Sequence, residues 1–301
     1  MDFITFAKWV YQCVKSDAYL KREMASLEGE SLGEHVMVRM LKPLWAYRGF
    51  IVGSVKREFQ SKYRNSMLGA AWVVLNPLAM IVVYTVVFSQ VMKAKLPGVD
   101  STFAYSIYLC AGLLTWGLFA EIVGRAQNIF IEYGNLMKKL NFPRMSLPVI
   151  VTLNAGINFL IISGLFLIFL IAVGSFPGWV IFGAIPVLLI QIAFSVGLGV
   201  VLGILNVFFR DVGQFFGIVL TFWFWLTPIV YPSSILPERV KSLLIDWNPM
   251  AAMIAAYQRI FVSAQWPDWS SLVIPALVSI ALCVLGLRLF RKRAGEMVDE
   301  L

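Results

Sequence analysis

The residues that could do chemistry inside this apolar chain are few. Glu121 and Arg125 are four residues apart in an otherwise apolar stretch, so on a helix they share one face. Asn154 and Asn158 repeat that spacing in another apolar stretch. Charges at membrane depth pair or face a protein interior, and amides there form hydrogen bonds between helices. We therefore predict an intramembrane ion pair between Glu121 and Arg125 and interhelical hydrogen bonds for both asparagines.

Motifs for catalysis or nucleotide binding are missing from the sequence. It contains no G-x-x-x-x-G-K-[ST] run and no H-E-x-x-H zinc motif. His35 is the only histidine, and Cys13, Cys110 and Cys283 have neither zinc spacing nor a disulfide framework. The sequence therefore predicts no catalytic residue, no metal site and no cofactor in this chain. If the protein moves a substrate uphill, we expect the energy to come from another chain.

Composition indicates a membrane protein. The 301 residues are 59% apolar and 14% charged, which is far more apolar than a soluble domain of this length. A net charge of +8 could indicate nucleic-acid binding, but an excess of cytoplasmic lysine and arginine explains it better in a membrane chain. The N-terminus does not resemble a signal peptide, because Asp2 is acidic and lysines interrupt the apolar stretch. We predict a multi-pass membrane protein that contacts lipid and no nucleic acid.

The stretch from Lys56 to Met92 joins a basic amphipathic half to an apolar half. Apolar residues recur at helical spacing from Tyr47 to Tyr63 with cations on the other side, which suits the lipid headgroup layer. The chain must then turn near Gly69, since the next residues are apolar over about one bilayer thickness. This interface helix, at 47–66, is either a plain surface anchor or also a contact for a cytoplasmic partner. Its candidate contact residues are Lys56, Arg57, Phe59, Lys62, Tyr63 and Arg64.

Six segments are apolar and long enough to be predicted as spans. They lie at about 71–91, 106–126, 147–173, 180–209, 214–231 and 271–290. Asn248 and Pro249 are typical of a helix start, and short helices at 237–245 and from 249 onward fit a re-entrant arrangement. The predicted fold class is an all-α membrane protein with six transmembrane helices. An N-terminal amphipathic interface helix and short re-entrant helices before the last span complete it.

The distribution of basic residues predicts the orientation. Only five of the 25 lysines and arginines lie in 93–105, 175–179 and 232–269, and the remaining 20 lie on the other side. Both termini are therefore predicted to be cytoplasmic. From the N-terminus, the predicted organisation is a cytoplasmic arm at 1–46, the interface helix at 47–66, a six-span domain at 68–293 and a cytoplasmic tail at 294–301.

Five segments taken in order resemble one known family. They are 56–92, LCAGLLTWGLFAEIV at 109–123, NLMKKLNFPR at 135–144, FFRDV at 208–212 and WNPM at 247–250. Together they resemble the permease subunit of ABC polysaccharide exporters, which export O-antigen, capsule or teichoic acid chains. The likeness covers roughly residues 47–293, and the O-antigen branch is the nearest.

The resemblance implies a set of partners. It implies a homodimeric permease in the bacterial inner membrane, working with two copies of an ABC ATPase subunit that bind ATP and magnesium. It also implies a polysaccharide substrate linked to undecaprenyl diphosphate. Residues 237–262 match re-entrant helices that face the periplasm. The match to the coupling helix, which docks on the ATPase, comprises Asn135, Leu136, Met137, Lys138, Lys139, Leu140 and Asn141.

Aromatic and amide side chains form a predicted substrate pathway. A polysaccharide presents hydroxyls and flat apolar sugar faces, so a conduit for it should offer aromatic surfaces and few fixed charges. Ordinary packing, or a headgroup belt for Trp72, is the alternative. We expect the first and fifth spans to face each other across the dimer axis. The predicted pathway residues are Trp72, Asn76, Tyr84, Phe88, Phe222 and Trp225.

Two other functions fit part of the pattern. A permease of the same fold could move a drug or a small lipid, which an aliphatic pathway would favour. A membrane-embedded glycosyl-carrier enzyme would need carboxylates or a basic cluster at the membrane surface. Glu121 and Asp211 are too isolated in the sequence to support such an enzyme.

Overall fold

The computed structural model describes residues 45, 47–63, 69–91, 96, 102–139, 144–241 and 245–300. Helices and short connections make up this part of the chain, which contains no strand of two residues or more. The all-α prediction is therefore confirmed. The predicted arm at 1–46 lies outside the described residues except for Trp45, and so do Arg64, Leu140 and Asn141.

The helices are named here in chain order. The first half of the chain contains α1 (Arg48–Tyr63), a 3-10 turn (Gly69–Ala71), α2 (Trp72–Thr85) with a π-helical continuation (Val86–Val91), α3 (Ala104–Ala126), α4 (Ile129–Glu132), α5 (Gly134–Lys139) and α6 (Ser146–Ala172). The second half contains a 3-10 helix (Gly178–Gly183), α7 (Ala184–Phe208), α8 (Asp211–Leu226), a 3-10 turn (Ser233–Ile235), α9 (Glu238–Lys241), α10 (Pro249–Ser263), α11 (Val273–Arg293) and α12 (Glu296–Glu300).

Five helical segments of the described chain are long and apolar enough to cross a membrane. They are 72–89, 104–126, 146–172, 178–208 and 273–293, which agree with five of the six predicted spans to within a few residues. The remaining candidate, α8, has 16 residues and ends at Leu226, earlier than predicted, because Thr227 adopts an extended backbone before Pro228. At 1.5 Å per residue such a helix covers about 24 Å of a hydrocarbon core of about 30 Å. A total of six crossings therefore stays a prediction.

Glycines let α7 pack tightly against α3 and α11. A Cβ added at Gly199 or Gly203 would lie 2.6 Å from an atom of Ala126, and one at Gly197 would lie 2.8 Å from the backbone nitrogen of Cys283. Real Cβ atoms do not approach that closely. These glycines therefore allow the helices to approach closely, and a side chain at any of them must push two helices apart.

The two largest apolar clusters among the described residues each join several helices. The first, called the inner cluster, lies beside α1 and α5. It contains Ile51, Phe130 and Phe290 and joins the interface helix to the long apolar helices. The outer cluster contains Phe119 of α3, and Met253 of α10 packs in it with no exposed surface. The helix α10 therefore packs among the long apolar helices rather than over them, as a helix dipping into the bundle must.

Candidate functional site: a polar hub and a lateral groove

A polar hub joins α1, α3 and α6. We use this name for Glu58, Glu121, Arg125, Asn154 and Asn158. Arg125 forms an ion pair with Glu58 and lies 3.7 Å from Glu121. Asn154 donates a hydrogen bond to Glu58, and the Nδ2 of Asn158 donates to Oε2 of Glu121 at 2.9 Å. One guanidinium and two amides thus bind two carboxylates that come from different helices.

The hub confirms two predictions and adds one residue. The Glu121–Arg125 pair forms, and both asparagines make the expected hydrogen bonds between helices. Sequence reasoning missed Glu58, which is the main partner of Arg125. A signal was present, because Glu58 is the only acidic residue between positions 47 and 66, a segment rich in lysine and arginine.

An open groove runs from the polar hub between α2, α3 and α6; we call it the lateral groove. Its volume is about 640 Å³, and its walls are mainly apolar side chains such as Ile81, Leu114 and Phe166. Glu121 and Asn158 line its polar end. The same two residues also line an adjoining cavity of about 420 Å³, the hub cavity, together with Glu58, Phe59, Ser61, Arg125, Glu132 and Asn154.

The predicted pathway residues fall into two groups. Trp72, Asn76 and Tyr84 of α2 all line the lateral groove. The ring of Phe88, beyond them, lies 5.1 Å from the ring of Tyr105, centroid to centroid.

The two α8 residues do not line this groove. Phe222 and Trp225 are 64% and 61% exposed, and the ring of Trp225 contacts that of Phe224 at 5.2 Å. The chain therefore carries one aromatic surface on α2 and a separate one on α8. Whether these surfaces meet across a dimer axis, as expected from the sequence, stays a prediction.

The predicted coupling residues divide into an anchor and an exposed edge. Met137 is 6% exposed and packs in the inner cluster. Asn135 and Lys138 are exposed, and Leu136 is partly buried. The Lys139 side chain, like Leu140 and Asn141, lies outside what the structure describes. A partner that binds this edge can therefore transmit force into the bundle through Met137.

The interface helix is less amphipathic than its sequence predicts. Ile51 and Ser54 are buried, whereas the apolar Val52 is 63% exposed. Lys56 and Arg57 are exposed and Phe59 is partly buried, as suits a helix at the membrane surface. The side chains of Lys62 and Tyr63 fall outside the described set.

Asn248 ties the start of α10 to the end of α8. Its Oδ1 accepts hydrogen bonds from the backbone N–H of Met250 at 3.1 Å and from Nε1 of Trp223 at 2.9 Å. Its Nδ2 donates to Oγ1 of Thr227 at 2.9 Å. The predicted helix start at Asn248 and Pro249 is confirmed, and the same side chain also fixes the turn that ends α8.

The sequence profile of the ABC-2 type transporter family matches residues 51–262, which run from α1 to α10. The chain belongs to the ABC-2 type transporter family. The part matched to ABC-2 transporters contains the polar hub, the lateral groove and Asn248. The resemblance inferred from the five sequence segments is therefore confirmed at the level of the family.

Three permease or transport proteins of known systems align with this chain along most of their own length. The chain is 33% identical over 266 residues to the O-antigen export system permease protein RfbA of Myxococcus xanthus, covering 88% of this chain and 100% of the relative. It is 31% identical over 243 residues to an RfbA of Klebsiella pneumoniae, covering 80% and 91%. Identity to the polysialic acid transport protein KpsM of Escherichia coli is 20% over 248 residues, covering 81% and 93%.

Proposed function

We propose that this chain is the transmembrane subunit of an ABC transporter that exports lipid-linked O-antigen across the bacterial inner membrane. The observation that carries the proposal is 33% identity over the whole length of an O-antigen export permease. Family membership alone supports a transporter, and the named relatives supply the class of polymer.

A separate ATPase subunit drives the export in this proposal. The chain itself lacks the G-x-x-x-x-G-K-[ST] run that cradles nucleotide phosphates. The exposed edge of α5, with Asn135 and Lys138 beside a buried Met137, is a surface on which that subunit can act. ATP and magnesium are assigned to the partner, in two copies, one for each permease of a homodimer.

The exposed apolar side chains support a homodimer with an aromatic conduit. Phe222 and Trp225 project from α8, and Trp72 from α2, and each is close to half exposed or more. Large exposed apolar patches mark surfaces that lipid or another protein covers. In the proposal a second copy faces them, sugar rings slide along their flat faces, and the undecaprenyl diphosphate carrier stays at the membrane.

Orientation follows from the charged ends. The last long helix closes with Arg291, Lys292 and Arg293, and the coupling edge carries Lys138. Lysine and arginine concentrate on the cytoplasmic side of bacterial inner-membrane proteins. The proposal therefore puts both termini and α5 in the cytoplasm, and α9 outside.

Capsular polysaccharide is the second candidate substrate. The 20% identity to a polysialic acid transport protein favours it, over a similar share of both chains. The higher identity to two O-antigen export permeases favours O-antigen as the first choice.

Deletion and purification together test the proposal. Deleting the gene in its source bacterium should remove O-antigen from the cell surface while the lipid-linked polymer accumulates inside, and the intact gene should restore export. The tagged chain, purified in mild detergent, should carry an ATPase subunit in equal amount. Loss of capsule with normal O-antigen would favour the second candidate, and normal amounts of both polymers with no ATPase partner would refute both.

A further inference from the structure

Among the residues that the structure describes, the walls of the hub cavity carry more negative than positive charge. Its lining includes three carboxylates, from Glu58, Glu121 and Glu132, and one guanidinium, from Arg125. Arg125 is already shared between Glu58 and Glu121. Charges near hydrocarbon are costly unless an opposite charge balances them. The cavity is therefore complementary to a ligand that brings a positive charge.

The lateral groove supplies an apolar site for the rest of the same ligand. It begins at Glu121 and Asn158, the two residues that it shares with the hub cavity, and continues along Met80, Ile81 and Phe166. Its volume of about 640 Å³ is in the range of small-molecule sites, which are mostly apolar with a few placed polar groups. A ligand that fits both cavities has a charged head at one end and a hydrocarbon chain at the other, so it is an amphiphile.

We propose that the hub cavity and the lateral groove together bind one membrane phospholipid with a primary ammonium headgroup, of the phosphatidylethanolamine type. The ammonium lies between Glu121 and Glu132, where it balances the excess charge and donates hydrogen bonds to carboxylate oxygens. One acyl chain lies between α2, α3 and α6. Nothing in this proposal depends on which polymer the transporter exports.

The charge pattern argues against an anionic lipid in this place. A phosphatidylglycerol headgroup or a polyprenyl phosphate would bring negative charge to a cavity that already has an excess of it. A phosphate would have to share the guanidinium of Arg125 with Glu58 and Glu121. The site is therefore distinct in its chemistry from any site for a diphosphate-linked substrate.

The ligand would touch four elements of the fold at once. Glu58 lies on α1, Glu121 on α3, Asn158 on α6 and Glu132 at the end of α4, directly before α5. A bound lipid would hold these four elements at fixed distances from one another.

Lipid retention by the purified full-length chain tests the proposal. The protein is exchanged into detergent with equal amounts of phosphatidylethanolamine and phosphatidylglycerol that carry identical acyl chains, and retained lipid is measured by native mass spectrometry. We expect phosphatidylethanolamine to be retained several-fold over phosphatidylglycerol. A parallel mixture replaces phosphatidylglycerol with undecaprenyl phosphate, and we expect the same preference.

Variants separate the site from general lipid binding. Glu132→Gln removes one charge and leaves both ion-pair partners of Arg125 in place, and it should abolish most of the preference; Glu121→Gln should do the same. Glu238→Gln, an exposed carboxylate on α9, is the matched control and should leave the preference unchanged. Equal retention of an anionic lipid, or an unchanged preference in Glu132→Gln, would overturn the proposal. Because the assay needs neither ATP nor polymer, its failure would leave the proposed export function untouched.

Discussion

Arg125 on α3 forms an ion pair with Glu58 on α1, and this contact ties the interface helix to the second long apolar helix. Glu121, one turn earlier on α3, shares the same guanidinium at 3.7 Å. Two asparagines of α6 bind the two carboxylates in turn. A force applied to α1 can therefore reach α3 and α6 through the polar hub.

Removing the shared cation, Arg125, should lower the free energy of unfolding more than removing one of its carboxylate partners. Arg125→Gln leaves Glu58 and Glu121 without their common cation. The side chains of Arg125 and Glu58 are 33% and 32% exposed. The free energy of unfolding should therefore fall by an amount between the values for exposed and for buried ion pairs, about 1–3 kcal/mol. Glu58→Gln should lose less, because Arg125 keeps Glu121. Thermal unfolding in detergent measures both, and equal losses would contradict the shared cation.

Asn248→Ala should destabilise the junction of α8 and α10. The variant loses the helix cap, which contributes about 1 kcal/mol, and leaves Trp223 Nε1 and Thr227 Oγ1 without this partner. We expect the free energy of unfolding, measured by tryptophan fluorescence, to fall by about 2 kcal/mol in total. Asn248→Asp is the control: it keeps the acceptor for Met250 and Trp223, so it should lie closer to wild type. A loss in Asn248→Asp as large as in Asn248→Ala would contradict a main role for the two bonds that Oδ1 accepts.

Charge placed on the coupling edge should uncouple ATP hydrolysis from export. Leu136→Asp combined with Leu140→Asp removes apolar groups that can fill a groove of the ATPase, while Leu136 is only partly buried. Membrane insertion and protein level should stay normal, and export should fall at least tenfold while ATPase activity of the complex persists. Met137→Asp is the contrasting variant, since it puts a charge in the inner cluster and should lower the protein level. Normal export by the double variant would refute the coupling role of α5.

Labelling of single cysteines should report the predicted orientation. In a background without Cys13, Cys110 and Cys283, a cysteine at position 138 should react only from the cytoplasm. A cysteine at position 241 should react with an impermeant maleimide from outside. Both side chains have exposed surface, so accessibility should not limit the reaction. Labelling of position 241 only from the cytoplasmic side would refute the topology.

Truncation of the two aromatic surfaces should slow export of long chains. Tyr84 lines the lateral groove and Trp225 is exposed on α8, so Tyr84→Ala and Trp225→Ala should each shift the exported polymer to shorter lengths at unchanged protein level. Gel analysis of surface polysaccharide measures the length distribution. Ile280→Ala on α11 removes a similarly exposed apolar side chain away from both surfaces and should change nothing. If the two aromatic variants export like Ile280→Ala, these side chains have only a packing role.

Local physics let the sequence alone predict most of the helices and the class of protein. A bilayer requires about 20 apolar residues for each span, so 104–126, 146–172 and 273–293 are visible in the sequence to within a few residues. Asn248 followed by Pro249 predicts a helix start, because the cap and the missing amide act within one turn. Glu121 and Arg125 were predicted to pair because four residues make one helical turn.

Only the tertiary structure decided which distant groups meet. Glu58 joins Arg125 because α1 packs against the inner cluster through Ile51, a contact that no local spacing encodes. The bonds that Asn248 makes to Thr227 and Trp223 likewise join the end of α8 to a later helix, α10. The lateral groove likewise exists only where three helices diverge. Periodicity fixes the face of one helix, whereas the partner of that face is set by the packing of the whole bundle.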